Sequence, residues 1–304
     1  MRERTWVILL TGGGAAPRES QDDLPDDSCV QPAAPERQTL LHMTLTRARA
    51  IVPREQIVMV IDRAQRQRSE ESRQMLPREN IIVQPRHRGS ALEVLLAVLA
   101  ILERDPGARI IAMPSHHHVS NETALASSLL DAATPTAQTR HYLTLIGIKP
   151  DRADIESSYI VPGRWFEDGT RSVLCIAKPS TTALARKLVA RGALWDSSII
   201  AARAMVLVGI LRVCIPDLVD QMENALAHGD GVDTRQRALA QLHARLPTID
   251  LSQVLARGAE VQCRVITSRC GWPNPAPTQR RVGRPGTRQA AALPPLTTLC
   301  TDVV

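Results

Sequence analysis

Thr5-Trp6-Val7-Ile8-Leu9-Leu10-Thr11-Gly12-Gly13-Gly14 decides the fold class. Six residues without a turn signal, apolar from Trp6 to Leu10, read as a strand buried on both faces. Three glycines then let the backbone turn sharply and bring successive N–H groups close to an anion. This is neither a G-x-G-x-x-G fingerprint nor a Walker A loop, which would need Gly-Lys-Ser/Thr. The composition therefore points to a phosphate cradle or a tight turn. Its place at the end of the first strand is where open α/β sheets bind ligands.

Working outward, strands and helices alternate. Residues 15–38 carry four prolines and read as a long polar loop. A helix is expected over Thr39–Ile51 and a strand over Ile57–Ile61, followed by a polar helix over Arg63–Met75 and a strand at Ile81–Val83. Gly89-Ser90 then opens an amphipathic helix, with Ser90 as its candidate N-cap and Leu92, Leu95, Leu96, Leu99 and Leu102 along one side. Asp105-Pro106-Gly107 ends it, and Arg109–Met113 forms the next strand, running into Pro114-Ser115-His116-His117-His118. A helix over Asn121–Ala133 and a strand over Tyr142–Ile148 follow. Further on come a strand at Val173–Ile176, a helix over Thr181–Arg191, a strand over Trp195–Ala202, and helical stretches 203–228 and 230–263, the second broken at Pro247. Repeated strand–helix units predict a doubly wound, mostly parallel α/β sheet with a smaller C-terminal helical annex. The carboxyl ends of its strands place candidate sites at the Gly12 and Pro114 turns.

Composition narrows the function classes. The 304 residues are 44% apolar and 22% charged, as in an ordinary globular protein. Aromatics make up only 2%, so the core is aliphatic. Only Lys149, Lys178 and Lys187 are lysines, a bias that fits codon usage and leaves few candidates for any site needing one. The longest apolar run, Ala91–Leu102, is interrupted by Glu93 and is too short to span a bilayer. The first ten residues only faintly mimic a signal peptide. Six cysteines without C-x-x-C spacing read as reduced thiols, and the expected location is the cytoplasm. A formal charge of +6 allows anionic partners without demanding nucleic acid. The tail arginines 280, 281, 284 and 288 have no interleaved aromatic and read as a solvated, flexible tail over 283–304.

Two further groups carry chemistry. In the triple histidine, alternation along an extended chain would let His116 and His118 point together, with His87 or His141 as a third ligand for a zinc-like ion. The plain alternative is a polar loop at the solvent edge. Arg86, His87 and Arg88 precede the Ser90 helix and could hold an anion at its N-terminus, or form a solvated loop.

The order of segments resembles the sugar-phosphate nucleotidyltransferases, and most closely their mannose-1-phosphate guanylyltransferase branch. Val7–Gly14 is similar to that family's V-I-L-A-G-G-x-G opening. Val83–Ala91 is similar to its Q-P-x-N-R-G-T-A segment, Met113–Val119 to P-S-D-H-H-V, and Leu145–Pro150 to L-G-I-x-P. Glu156–Ile160 stands at E-x-G-Y-I, Ala177-Lys178-Pro179 at E-K-P, Leu194–Ser197 at L-W-N-S, and Cys270-Gly271-Trp272 at C-G-W. The likeness runs in unbroken order from residue 5 to about 282. It implies a Rossmann-like nucleotide-diphospho-sugar transferase fold over 1–282, with a nucleotide-binding half (1–150) and a sugar-binding half with the annex (151–282).

The resemblance also implies the reaction. GTP and mannose 1-phosphate would give GDP-mannose and pyrophosphate, the sugar phosphate attacking the α-phosphorus with Mg²⁺ as the cofactor. Gly12, Gly13, Gly14 and Arg18 would meet the triphosphate, and Arg88, Gly89 and Ser90 would lie near the base. Tyr159, Lys178 and Asp196 would line the sugar pocket, and His116 and Asn274 would stand at the two metal positions. Implied catalytic positions are thus Arg18, His116 and Asn274. The partners implied are a nucleoside triphosphate and a sugar 1-phosphate, with no membrane and no nucleic acid; homo-oligomerisation stays open.

The sequence departs from the family at several of these positions. Histidine and asparagine replace metal-binding aspartates, Pro17 takes the place of the opening-loop arginine with Arg18 one place late, and Asp26 replaces a lysine. Ala177 replaces a sugar-contacting glutamate, and Asp196 an asparagine. An alternative therefore stands beside the enzyme: a catalytically silent homologue that binds a nucleotide or nucleotide sugar as a regulatory subunit.

Overall fold

The structure, a computed structural model, describes residues 4–12, 34–63, 74–134, 141–227 and 232–271. In chain order these form β1 (Thr5–Leu10), α1 (Ala34–Arg49), β2 (Ile57–Asp62), β3 (Ile81–Gln84), α2 (Ser90–Arg104), β4 (Arg109–Pro114), α3 (Glu122–Ala133) and β5 (Leu143–Ile148). Then follow β6 (Tyr159–Trp165), β7 (Arg171–Ala177), α4 (Thr182–Ala190), β8 (Leu194–Arg203), α5 (Ala204–Cys214), α6 (Pro216–Ala227), α7 (Val232–Arg245), α8 (Leu251–Gln262) and β9 (Cys263–Ser268).

The strands make one nine-stranded sheet in the order β3-β2-β1-β4-β8-β5-β9-β7-β6. Along β1 every residue is buried, and the side chains alternate between two cores. Trp6, Ile8 and Leu10 join the core built with α2, α5, α6, α7 and α8. Val7 and Leu9 join the one built with α1, α3 and α4. Leu92, Leu95 and Leu96 of α2 are fully covered, as their helical spacing predicts.

The α/β class stands, but the sheet is mixed and not mostly parallel. Only β3-β2-β1-β4 and the pair β5–β9 run parallel. β8 enters antiparallel between β4 and β5, pairing Arg109 with Arg203 and Leu145 with Ile200. β6 and β7 form a hairpin, which is necessarily antiparallel, around Phe166–Thr170 with Gly169 at φ +77°. β6 also pairs with β8 at Tyr159↔Trp195, so β8, β5, β9, β7 and β6 close a ring of pairings. Local periodicity says which segments are strands, but carries nothing about which strands meet, and the parallel expectation failed there.

Smaller corrections follow. α1 starts at Ala34, five residues before the expected start. The stretch 203–228 is two helices, parted at Ile215 with Pro216 first in the second, where its missing N–H costs nothing. Gly89, not Ser90, stands at the N-cap of α2. Cys175 is disulfide-bonded and not a reduced thiol, whereas Cys263 and Cys270 are free. No helix among the described residues is long and apolar enough to cross a membrane.

Candidate functional site at the carboxyl ends of the strands

β1, β2, β3 and β4 all point their carboxyl ends the same way, so Gly12, Asp62, Gln84 and Ser115 collect at one rim of the sheet. The Thr11 hydroxyl donates to Val60 O (2.6 Å), tying the first turn to β2, and Ser115 N donates to Leu10 O (2.9 Å), tying the fourth turn to the end of β1. Behind Gly12 lies a buried polar group. Glu93, fully covered on the first turn of α2, accepts from Gln84 Nε2 (2.8 Å) and pairs with His87 Nδ1 (3.0 Å) through the same oxygen. A Cβ at Gly12 would land on Glu93 Oε1 and His87 Nδ1, so only glycine lets the turn lie flush on the pair. Glu93's other oxygen is buried and meets no hydrogen-bond partner among the described residues. Glu93 in its apolar run gave no signal of this role. Nor is its link to Gln84 and His87 readable from spacing, because it depends on β3 and α2 packing side by side.

The segment Arg88-Gly89-Ser90 is held by a strap, residues 246–250, between α7 and α8. Ile249 N donates to Arg88 O (2.9 Å), Ala91 N to Ile249 O (3.1 Å), and Leu251 N to the Ser90 hydroxyl (2.9 Å). Arg88 donates Nε to His243 O (2.7 Å) and an Nη to Ala244 O (3.3 Å), covering carbonyls at the end of α7. Gly89 sits at φ +92°, and a Cβ there would strike the backbone of Ile249. The reach of this strap was not legible, since Pro247 marks only a break between helices.

At the fourth turn the His116 and His117 rings meet edge to face, with centroids 4.2 Å apart, while His118 is exposed. The expected pairing of His116 with His118 fails because the chain leaves β4 as a bend, not as an extended strand whose side chains alternate. Burial, His116 and Arg47 hold the His117 imidazole well below its ordinary range, so it stays neutral. Arg47 itself clasps Glu122 through two bonds of 2.7 and 2.6 Å. Asn121 caps α3 by accepting from Ala124 N, and its own N–H donates to Cys270 O (2.8 Å), with Ser120 N reaching Gly271 O (3.5 Å). The histidine turn and the Cys270-Gly271 segment are therefore neighbours.

The sugar candidates gather across three strands. Ala177, Tyr159 and Trp195 share one register row on β7, β6 and β8, which puts Lys178 and Asp196 at adjoining rungs. Tyr159 is fully buried, its hydroxyl donating to Asp154 O and accepting from Asp154 N. Lys178 is exposed. Asp196 accepts from Ser252 Oγ (2.7 Å) and from Ser198 N (2.8 Å), and burial raises its pKa. Gly13, Gly14, Arg18 and Asn274 lie outside the described residues.

Mg²⁺ prefers several hard oxygen donors. The described residue at an expected metal position, His116, offers an imidazole set edge to face against a second one, and does not suit that ion. No group of three metal-ligating side chains gathers among the described residues, which also removes the zinc-like reading there.

No model of a known protein family matches the chain. A putative mannose-1-phosphate guanylyltransferase from Vibrio cholerae is 23% identical over 189 residues, which are 62% of this chain and 40% of that protein. The match thus spans well under half of that relative. Among solved structures, one titled mannose-1-phosphate geranyltransferase, from Thermus thermophilus, superposes with a TM-score of 0.72 at 19% identity, covering 88% of this chain and 75% of the other. One titled mannose-6-phosphate isomerase, from Helicobacter pylori, gives 0.63 at 15% identity, over 89% of this chain and all of the other. In sequence and in fold, the chain is similar to the sugar-phosphate nucleotidyltransferases.

Proposed function

We propose that the chain is a sugar-1-phosphate nucleotidyltransferase of the mannose-1-phosphate guanylyltransferase type, taking GTP and mannose 1-phosphate to GDP-mannose and pyrophosphate. One observation carries the reading. The Gly12 turn, the Arg88–Ser90 segment and the His116 turn stand at one rim of the sheet, on strand ends or the helix that follows, while Tyr159, Lys178 and Asp196 share the rows beside it. The first half (1–150) would then hold the nucleotide through Gly12–Gly14, Arg18 and Arg88–Ser90, and the second (151–282) the sugar phosphate. Transfer in such a site is positioning plus charge neutralisation.

A second reading, a silent binding subunit, is favoured by the same His116–His117 contact, which puts two imidazoles where an acidic metal ligand is implied. Pyrophosphate release from GTP, with mannose 1-phosphate and Mg²⁺ or Mn²⁺, separates the two. Turnover above background that disappears in His116→Ala supports the enzyme and ends the silent reading. Tight GTP binding without any turnover ends the enzyme reading.

A further inference from the structure

We propose that His87 is a nucleotide-binding residue, an imidazolium clamped by Glu93 that grips the phosphate chain where it crosses the Gly12 turn. The proposal rests on the reading of that turn as a nucleotide cradle. It starts from an anomaly. Glu93 is the one charged residue in the apolar run Ala91–Leu102 and is fully buried. A carboxylate out of water is costly unless a cation and hydrogen bonds compensate it. Among the described residues its hydrogen-bond partners are the neutral Gln84 amide and the His87 ring, and of these two only His87 can carry the compensating charge, which the proposal assigns to it.

The charged groups around the ring agree. Glu93 faces it from α2, Asp62 from the end of β2 and Asp250 from the strap. Arg88, its chain neighbour, is turned away onto the carbonyls of His243 and Ala244. The hydrogen bond that the ring donates to Glu93 raises the imidazole's pKa most, against the opposing effect of burial, with the three carboxylates adding to the rise. With Nδ1 engaged by Glu93, the imidazolium keeps one further donor, Nε2–H, on a side chain still 21% exposed. That donor belongs to a group in direct contact with the place a Gly12 Cβ would fill, at the start of the glycine turn. Gly12 thus has two functions: it lets the backbone approach an anion, and it leaves room for the cation beneath. Glu93 is the positioning residue, fixing both the ring's orientation and its charge.

The consequence is a proton requirement for binding. Phosphate affinity is full while His87 is protonated and falls as the pH rises through its raised pKa, above the ordinary 6.5. The test compares the full-length protein with His87→Asn by calorimetric titration of metal-free GTP at several pH values between 6 and 9. Taking the ratio of the two affinities cancels the nucleotide's own titration. Wild type is expected to bind about 10-fold tighter than the variant at pH 6, the worth of one charge-assisted hydrogen bond, with the ratio closing towards one by pH 9. Imidazole NMR, with the His87 signal assigned by its loss in the variant, should show the ring titrating above 6.5 in the wild type and lower in Glu93→Gln. Tripolyphosphate should reproduce the ratio and guanosine should not.

A ratio that stays flat while GTP binds, or a His87 signal that titrates at or below 6.5, overturns the proposal and leaves the nucleotide reading intact. A ratio found with guanosine and missing with tripolyphosphate overturns the assignment to phosphate. Loss of all GTP binding by a folded wild type overturns both. Thermal melts of the two variants confirm that each compared protein is folded.

Discussion

Gly89 carries more of the architecture than its size suggests. At φ +92° it bends the chain so that Arg88 and Ala91 can both bond to Ile249, and its bare Cα lets the strap pass in contact. A side chain there is strained twice, by the backbone angle and by the collision with backbone that cannot move aside. Gly89→Ala should cost about 3 kcal/mol of unfolding free energy, read as a lowered urea midpoint with an unchanged slope. Gly12 stands out by type, as a glycine at a strand end, whereas Tyr159 enters only through the family resemblance. Glu93 was passed over because a lone acid in an apolar helix looks like an interruption until the strand beside it supplies Gln84.

At the scale of elements, the strap and α7 work as one clasp. His243, in the last turn of α7, is buried with both ring nitrogens lacking a partner among the described residues, while its carbonyl receives Arg88. Burial first, and Arg88 second, lower its pKa from 6.5 to about 4. Between those values the unfolded chain binds a proton that the folded chain refuses, so stability is full above 6.5 and declines as the pH falls towards 4. Allowing for water's reach to the ring, that decline is roughly 2 kcal/mol. His243→Leu removes the titrating group and two uncompensated polar atoms. It should match or exceed the wild type at pH 7 and lose that much less on acidification, as urea unfolding at pH 7 and 4.5 would show. Element identity was mostly legible from periodicity and caps. β9 was not, because it follows α8 with no turn residue between Gln262 and Cys263. β6 was hidden by Pro162 and Gly163, which argue against a strand in its middle; here the proline sits at a break in register with β7.

Across the whole molecule, the nucleotide and sugar candidates lie on one continuous sheet, and ligand binding should be felt by the entire fold. A ligand that binds only the folded chain stabilises it by about 2.7 kcal/mol at 100 times its Kd. GTP at that excess should therefore raise the Tm by several degrees, and mannose 1-phosphate should add to the rise if both pockets exist. No shift with either, in scanning calorimetry, would count against both readings of the site. The α/β class was legible at this scale, since it follows from alternating elements. The mixed pairing was not, since it depends on contacts between residues as distant as Arg109 and Arg203.

That β8 lies between β4 and β5 bears on synthesis at the ribosome. β4 and β5 emerge early and in succession, yet neither can pair with the other, because the strand that joins them is completed only at Arg203. For some fifty to ninety residues of elongation, the nascent chain holds two largely apolar strand edges in waiting. Slow translation or a truncating lesion before residue 194 would leave that gap unfilled. How promptly β8 and β9 arrive therefore decides how long those edges stay open to wrong pairings, a hazard that the stability of the finished sheet does nothing to reduce.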